Sequence, residues 1–202
     1  MTKIKICGLT SLEEIAYVND IKPDYIGFVF AESRRKVNKE QAHLLKNVLD
    51  KEIKVVGVFV NEPLEHVVQL CREGCMDVIQ LHGDESREYV ALLKEKVSQP
   101  VIKVIRVRSR EQIIKMSDYP CDYLLLDTYQ KGTYGGTGKS LDASLIPDMN
   151  RPFILSGGLT EDNVSSMIRR WHPYCVDVSS GVETEGKKDR KKIEAFVAAV
   201  RG

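Results

Sequence analysis

The chain has 202 residues, 43% of them hydrophobic and 29% charged, ordinary values for a globular protein with a sizeable core. Thirty Lys and Arg against 29 Asp and Glu leave a formal charge of +1, which argues against a nucleic-acid surface or an acidic tail. No apolar run approaches the roughly 20 residues of a membrane span, and the apolar part of the opening MTKIKICGLTS is too short for a signal peptide, so a cytoplasmic protein with no membrane partner is expected.

A first strand is predicted over 3–7 (KIKIC), followed by a helix over 11–19 that opens on Ser11 with Glu13 and Glu14 in its first turn. A second strand over 24–30 (DYIGFVF) leads to a helix over 39–49 with Ala42, Leu45 and Leu49 on one side. A third strand over 54–60 precedes a helix entered through Pro63 as a first-turn proline, with Leu64, Val67, Val68 and Cys71 on its apolar stripe. Strands over 76–81 and 101–107 are followed by helices over 86–96 and 109–116. The sixth strand, 121–127 (CDYLLLD), runs into a Gly-rich segment and a short LDASLI turn, the weakest unit of the series. A seventh strand over 152–157 is followed by a helix from Thr160, read as its N-cap, and an eighth over 174–179 by a helix from Asp189. Several strands are almost continuously apolar, which suits parallel strands covered by helices. Their starts recur every 20–31 residues or so, the interval of one strand–helix unit. The sequence therefore predicts an α/β protein, a single-domain (β/α)8 TIM barrel over residues 1–202, with an open doubly wound sheet as the structural rival.

Such a barrel places its chemistry at the C-terminal ends of its strands. Those ends carry Cys7, Arg34 and Arg35, Asn61, His82, Arg106, Asp127, Gly157 and Gly158, and Ser180 and Gly181. The paired glycine turns after strands seven and eight suit a phosphate, because their backbone N–H groups can approach an anion closely. Asp127, after three leucines, is either a rim carboxylate or a placed acid. Cys7 is either a small buried hydrophobe or a base. One of the two arginines could grip a carboxylate. His82 either meets a ligand or serves only the backbone. Lys5 shares the face of Cys7 by strand alternation, and Asp177 is its expected partner. The segment GTYGGTGKS (132–140) lacks the glycine a phosphate loop needs five positions before Gly138, where Thr133 stands, and reads better as a lid in which Tyr134 could cover a ring. The five cysteines are odd in number and irregular in spacing, so reduced packing thiols are expected. Cys71 and Cys75 lack a second Cys/His pair at metal-site spacing, and no metal is expected.

From end to end the chain resembles the phosphoribosylanthranilate isomerase family of tryptophan biosynthesis. The resemblance runs through KICGLT (5–10), GFVF (27–30), GVFVN (57–61), QLHGDE (80–85), LLLD (124–127), YGGTGKSLD (134–142), LSGGL (155–159) and VDVSSGVE (176–183). It implies an Amadori rearrangement of N-(5-phosphoribosyl)anthranilate to 1-(2-carboxyphenylamino)-1-deoxyribulose 5-phosphate, with no metal and no redox cofactor. Cys7 is then the general base and Asp127 the general acid. Arg35 holds the anthranilate carboxylate, Asp177 orients the substrate, and Gly157, Gly158, Ser180 and Gly181 form the phosphate turns, with His82 beside them. The partner is that small anionic substrate, and a monomer is the expected state. Two positions depart from the family pattern. Ser33-Arg34-Arg35 stands where S-P-R is usual, which leaves open which arginine faces inward, and Leu141-Asp142-Ala143 replaces an aromatic-bearing segment.

Overall fold

The computed structural model describes residues 1–128 and 142–202. Eight parallel strands run in sequence order round a closed barrel, with the first paired to both the second and the eighth. They are β1 (Lys3–Cys7), β2 (Tyr25–Val29), β3 (Lys54–Phe59), β4 (Val78–Leu81), β5 (Val101–Val107), β6 (Tyr123–Thr128), β7 (Phe153–Leu155) and β8 (Cys175–Val178). Outside them lie α1 (Leu12–Ile21), α2 (Lys39–Asn47), α3 (Leu64–Arg72), α4 (Arg87–Lys96), α5 (Arg110–Met116), α6 (Val164–Trp171) and α7 (Arg190–Arg201). After β6 the described residues hold a single 3-10 turn, Ala143–Leu145, in place of a full helix. The proposed lid over 132–140, Tyr134 included, lies outside the described residues. No helix among the described residues is long and apolar enough to cross a membrane.

Local sequence accounts for most helix starts. Ser11 and Glu14 form a reciprocal capping box on α1, and Asn38, Ser86, Ser109 and Asp189 accept first-turn N–H groups of α2, α4, α5 and α7. Two starts differ from expectation. Pro63 occupies the N-cap of α3, just outside the helix, and supplies no capping side chain. The sixth helix begins at Val164, not Thr160, because the Asn163 amide is spent on the turn before it. Asn163 accepts from the Thr160 N–H at 2.9 Å and donates to the Gly158 carbonyl at 2.9 Å. A short antiparallel pair, β9 (Glu183–Thr184) with β10 (Lys187–Lys188), was not expected, since its polar residues carry no apolar alternation.

Apolar side chains form two layers. The larger packs the outside of the strands against the helices. The smaller fills the lumen with Val56, Val78, Ile102, Val104, Leu125, Ile154 and Cys175, each worth about 1.5–3 kcal/mol if its side chain is of Val, Leu or Ile size. Tyr123 and Tyr174 stack at 4.8 Å beside this inner layer, and Tyr25 joins them. Strand alternation then sets what stands above it. Gln80 on β4 and His82 just past its end share a face, and Leu125 and Asp127 share one on β6, so an apolar plug grades into a polar mouth.

Candidate active site

The mouth at the C-terminal ends of the strands is a cavity of about 440 Å³, the size of a small-molecule site. Cys7, Arg35, His82, Asp127, Gly157, Gly158, Asp177, Ser180 and Gly181 all line it. Every site residue expected from the sequence is thus brought to one place. Arg106, the residue at the end of β5, turns aside to Asp84 at 2.5 Å.

Cys7 ends β1 with its thiol against β2. A Cβ at Gly27 would lie 2.6 Å from the Cys7 Sγ, so only glycine leaves room there for the sulfur. Lys5, two residues back and fully buried, donates to Asp177 Oδ1 at 2.9 Å, which makes Asp177 the expected partner. Burial alone would depress the Lys5 ammonium, but Asp177 and Cys7 outweigh it and raise its pKa. Burial pushes the Cys7 thiol up, while the Lys5 ammonium pulls the other way without cancelling it. Ser179 Oγ donates to the Cys7 carbonyl at 3.0 Å and ties β8 to the end of β1.

Asp127 is 5% exposed near the end of β6. Its Oδ1 accepts the Thr128 N–H at 2.8 Å. His82 Nε2 lies 3.2 Å from its Oδ2 but off the line of a hydrogen bond, and His82 Nδ1 lies 3.1 Å from Gln80 Nε2. Gln80 Oε1 and His82 Nε2 have no hydrogen-bond partner among the described residues, although both are buried.

The two arginines separate. Arg35 lies in the mouth, packed across Gly8, where a Cβ would come within 2.4 Å of the arginine Cδ. Arg34 stays largely exposed. Both reach Glu183. Arg35 forks onto it through Nε (2.7 Å to Oε1) and Nη2 (2.8 Å to Oε2), and Arg34 Nη2 donates to Oε2 at 2.6 Å. Buried Lys188 donates to Glu183 Oε1 at 2.6 Å and to the Ser179 carbonyl at 3.1 Å. Burial lowers the Lys188 ammonium more than Glu183 raises it. Glu183 has the opposite balance. Burial would raise its carboxyl, yet Arg35 and Lys188 together hold it below the usual carboxylate range.

Neither Glu183 nor Lys188 was singled out from the sequence, though Glu183 ends the VDVSSGVE motif and Lys188 lies in the GKKD (186–189) that follows it. Their role depends on β9 and β10 folding back toward a loop almost 150 residues earlier. Glu85 escaped likewise. It accepts the Asn61 and Gly83 N–H groups and the buried Lys103 ammonium at 2.6 Å, and so braces the loop beside His82. The QLHGDE motif contained that signal. After β7, Gly157 (φ +91°) and Gly158 (φ +65°) turn into the mouth beside Ser180 and Gly181, which follow β8.

A family model described as N-(5'phosphoribosyl)anthranilate (PRA) isomerase matches residues 4–199. The N-(5'-phosphoribosyl)anthranilate isomerase of Thermoanaerobacter sp. (strain X514) is 48% identical over 204 residues, covering 100% of this chain and 99% of the relative. That of Lachnoclostridium phytofermentans is 45% identical, covering 98% and 96%. The phosphoribosyl anthranilate isomerase crystal structure from Thermotoga maritima superposes with a TM-score of 0.90 at 36% identity over 100% of both chains. Another, in complex with reduced 1-(o-carboxyphenylamino)-1-deoxyribulose 5-phosphate, gives 0.87 at 35% identity over 100% of both chains. Sequence and shape agree over the full length, and the chain belongs to the N-(5'-phosphoribosyl)anthranilate isomerase family, with that family's isomerase activity in tryptophan biosynthesis.

Proposed function

We propose that Cys7 and Asp127 perform this isomerisation as general base and general acid on a substrate held between Arg35 and the turns after β7 and β8. The observation that carries this reading is that Cys7 and Asp127, a thiol and a carboxylate from opposite halves of the chain, line one cavity together with Arg35, the only arginine among its described lining residues. Asp127 gives its proton to the furanose ring oxygen, the C1–O bond breaks, and the anthranilate nitrogen lone pair forms an iminium at C1. The Cys7 thiolate then takes the C2 proton. The C2–H electron pair becomes the C1–C2 double bond, and the iminium pair returns to nitrogen. The resulting enolamine tautomerises to the ketose. No electrons enter or leave, so one acid and one base suffice.

The remaining wall suits the same substrate. Glu183 occupies the Nε/Nη2 edge of Arg35, which leaves Nη1 for the anthranilate carboxylate. The backbone turns at Gly157-Gly158 and Ser180-Gly181 offer N–H groups to the phosphate. The unfilled Gln80 Oε1 and His82 Nε2 suit ribose hydroxyls, and Asp177 orients the sugar from β8. The test follows loss of phosphoribosylanthranilate fluorescence with purified protein. Cys7→Ser and Asp127→Asn should each slow turnover by about 100-fold or more, while a reduced product analogue still binds within a few-fold of wild type. Near wild-type turnover in both variants would sink the assignment.

A further inference from the structure

We propose that His43, Glu73 and Cys75 form a binding site for a borderline-soft divalent cation, Zn²⁺ being the fitting one, on the outer wall of the barrel. His43 lies on α2, Glu73 caps the C-terminal end of α3, and Cys75 stands in the turn that leads to β4. One ligand atom from each falls within 4.8 Å of the others. Cys75 Sγ and His43 Nε2 are 3.4 Å apart. Tetrahedral zinc with Zn–S near 2.3 Å and Zn–N near 2.0–2.1 Å sets its sulfur and nitrogen about 3.6 Å apart, so the pair already has the required bite. A thiolate, an imidazole and a carboxylate are a zinc-type donor set, with a fourth position left for water.

The frame behind these groups is fixed. Lys46 on α2 donates to the Gly74 carbonyl at 3.0 Å and to Asp77 at 2.9 Å, locking the helix that carries His43 to the turn that carries Cys75. The Cys75 N–H closes the end of α3 on the Leu70 carbonyl at 3.1 Å. Exposure is graded from buried Cys75 through half-buried His43 to exposed Glu73, which gives a cation an entry from solvent. Burial keeps the Cys75 thiol protonated in the free protein, so binding forms the metal–sulfur bond and releases that one proton to water. The cation competes for Glu73 with Lys39, 3.4 Å from its Oε2, and with the Gln69 amide, which donates to its Oε1 at 3.0 Å. The sequence offered only Cys71 and Cys75. His43 joins through the packing of α2 on α3, from 32 positions upstream.

The test titrates the full chain with Co²⁺ and then competes with Zn²⁺. Wild type should develop a thiolate-to-cobalt charge-transfer band that Zn²⁺ abolishes, and Zn²⁺ should raise its melting temperature. His43→Ala should weaken Co²⁺ affinity by at least about tenfold, since loss of even an outer partner of a metal ligand costs that much. Cys75→Ser should remove the band, and exposed Glu73→Gln, which leaves the fold untouched, should weaken binding several-fold. A wild-type protein without the band, or His43→Ala with unchanged affinity, would overturn the site.

Discussion

In the proposed mechanism Cys7 acts as a thiolate, in a place that disfavours one. Burial raises its pKa above the ordinary 9.0, and the Lys5 ammonium recovers only part of that. The base form is therefore scarce at neutrality and grows with pH. Because the proposed turnover also needs Asp127 protonated, the thiolate is best read directly: alkylation of Cys7 by iodoacetamide, mapped to its own peptide, should quicken by about tenfold per pH unit from pH 7 to 9. Cys7→Ser should lose that labelling. A labelling rate already flat over this interval would show that Cys7 is ionised at neutrality and not raised by its burial. Arg35 makes a second prediction at this scale. Its planar guanidinium serves Glu183 with one edge, and the proposed reading gives the substrate another, which an ammonium cannot do. Arg35→Lys should raise KM about tenfold, equivalent to some 1.4 kcal/mol, and change kcat less. Arg34→Lys, on a largely exposed side chain, should leave both nearly unchanged. The sequence alone could not separate the two arginines, because adjacent residues in an irregular turn carry no periodicity. The packing of Arg35 over Gly8 separates them.

The strands are held at their N-terminal ends by one device used three times. Asp24, Asp77 and Asp122 each precede an even-numbered strand, and each accepts the N–H of a residue at or near the start of the strand before it. The partners are Ile4 at 2.9 Å, Val55 at 2.8 Å and Val101 at 2.7 Å. A carboxylate here satisfies a backbone donor that the barrel rim would otherwise leave short of an acceptor. Asp122→Ala should cost about 1–3 kcal/mol, read as a lower urea midpoint at unchanged m-value, with kcat unchanged because the active site is at the other end. A lost kcat at an unaltered midpoint would count against this separation of ends. The eight-strand order was legible because each strand is a short apolar run and each helix carries its own stripe and cap. The late start of α6 was not, since Thr160 and Asn163 are both good caps and only the turn they share decides between them. The β9–β10 pair was hidden for a different reason. Glu183 and Lys188 gain meaning from partners on the β2 loop and at the end of β8, not from their neighbours in sequence.

Over the whole molecule, thirty basic groups nearly balance 29 acidic ones, yet the balance is uneven in space. Beside the mouth Arg34, Arg35 and Lys188 converge on the one carboxylate of Glu183, a cationic corner set against Asp127 and Asp177 elsewhere in the cavity wall, and that corner suits the carboxylate end of the substrate proposed above. Several other carboxyls are also held below their usual range by close partners, among them Asp50, Asp118 and Asp189. Asp118 lies exposed and Asp50 and Asp189 partly so, where such pairs add little to stability. Glu183 differs because it is buried. Its folded-state pKa is depressed below the ordinary 4.5, so its contribution to stability is complete above that value and is lost as pH falls through the folded-state value. Protonation then leaves three cations facing one another across the mouth without a counter-charge. The urea midpoint of wild type should hold steady from pH 7 to about 5 and fall below about 4.5. Glu183→Gln should destabilise the protein at pH 7 by about 3–5 kcal/mol, the usual penalty for removing one partner of a buried ion pair. Its acid limb should be shallower than that of wild type, and its KM should rise as Arg35 loses its brace. Parallel midpoint curves for the two proteins across this range would mean that acid stability is set elsewhere.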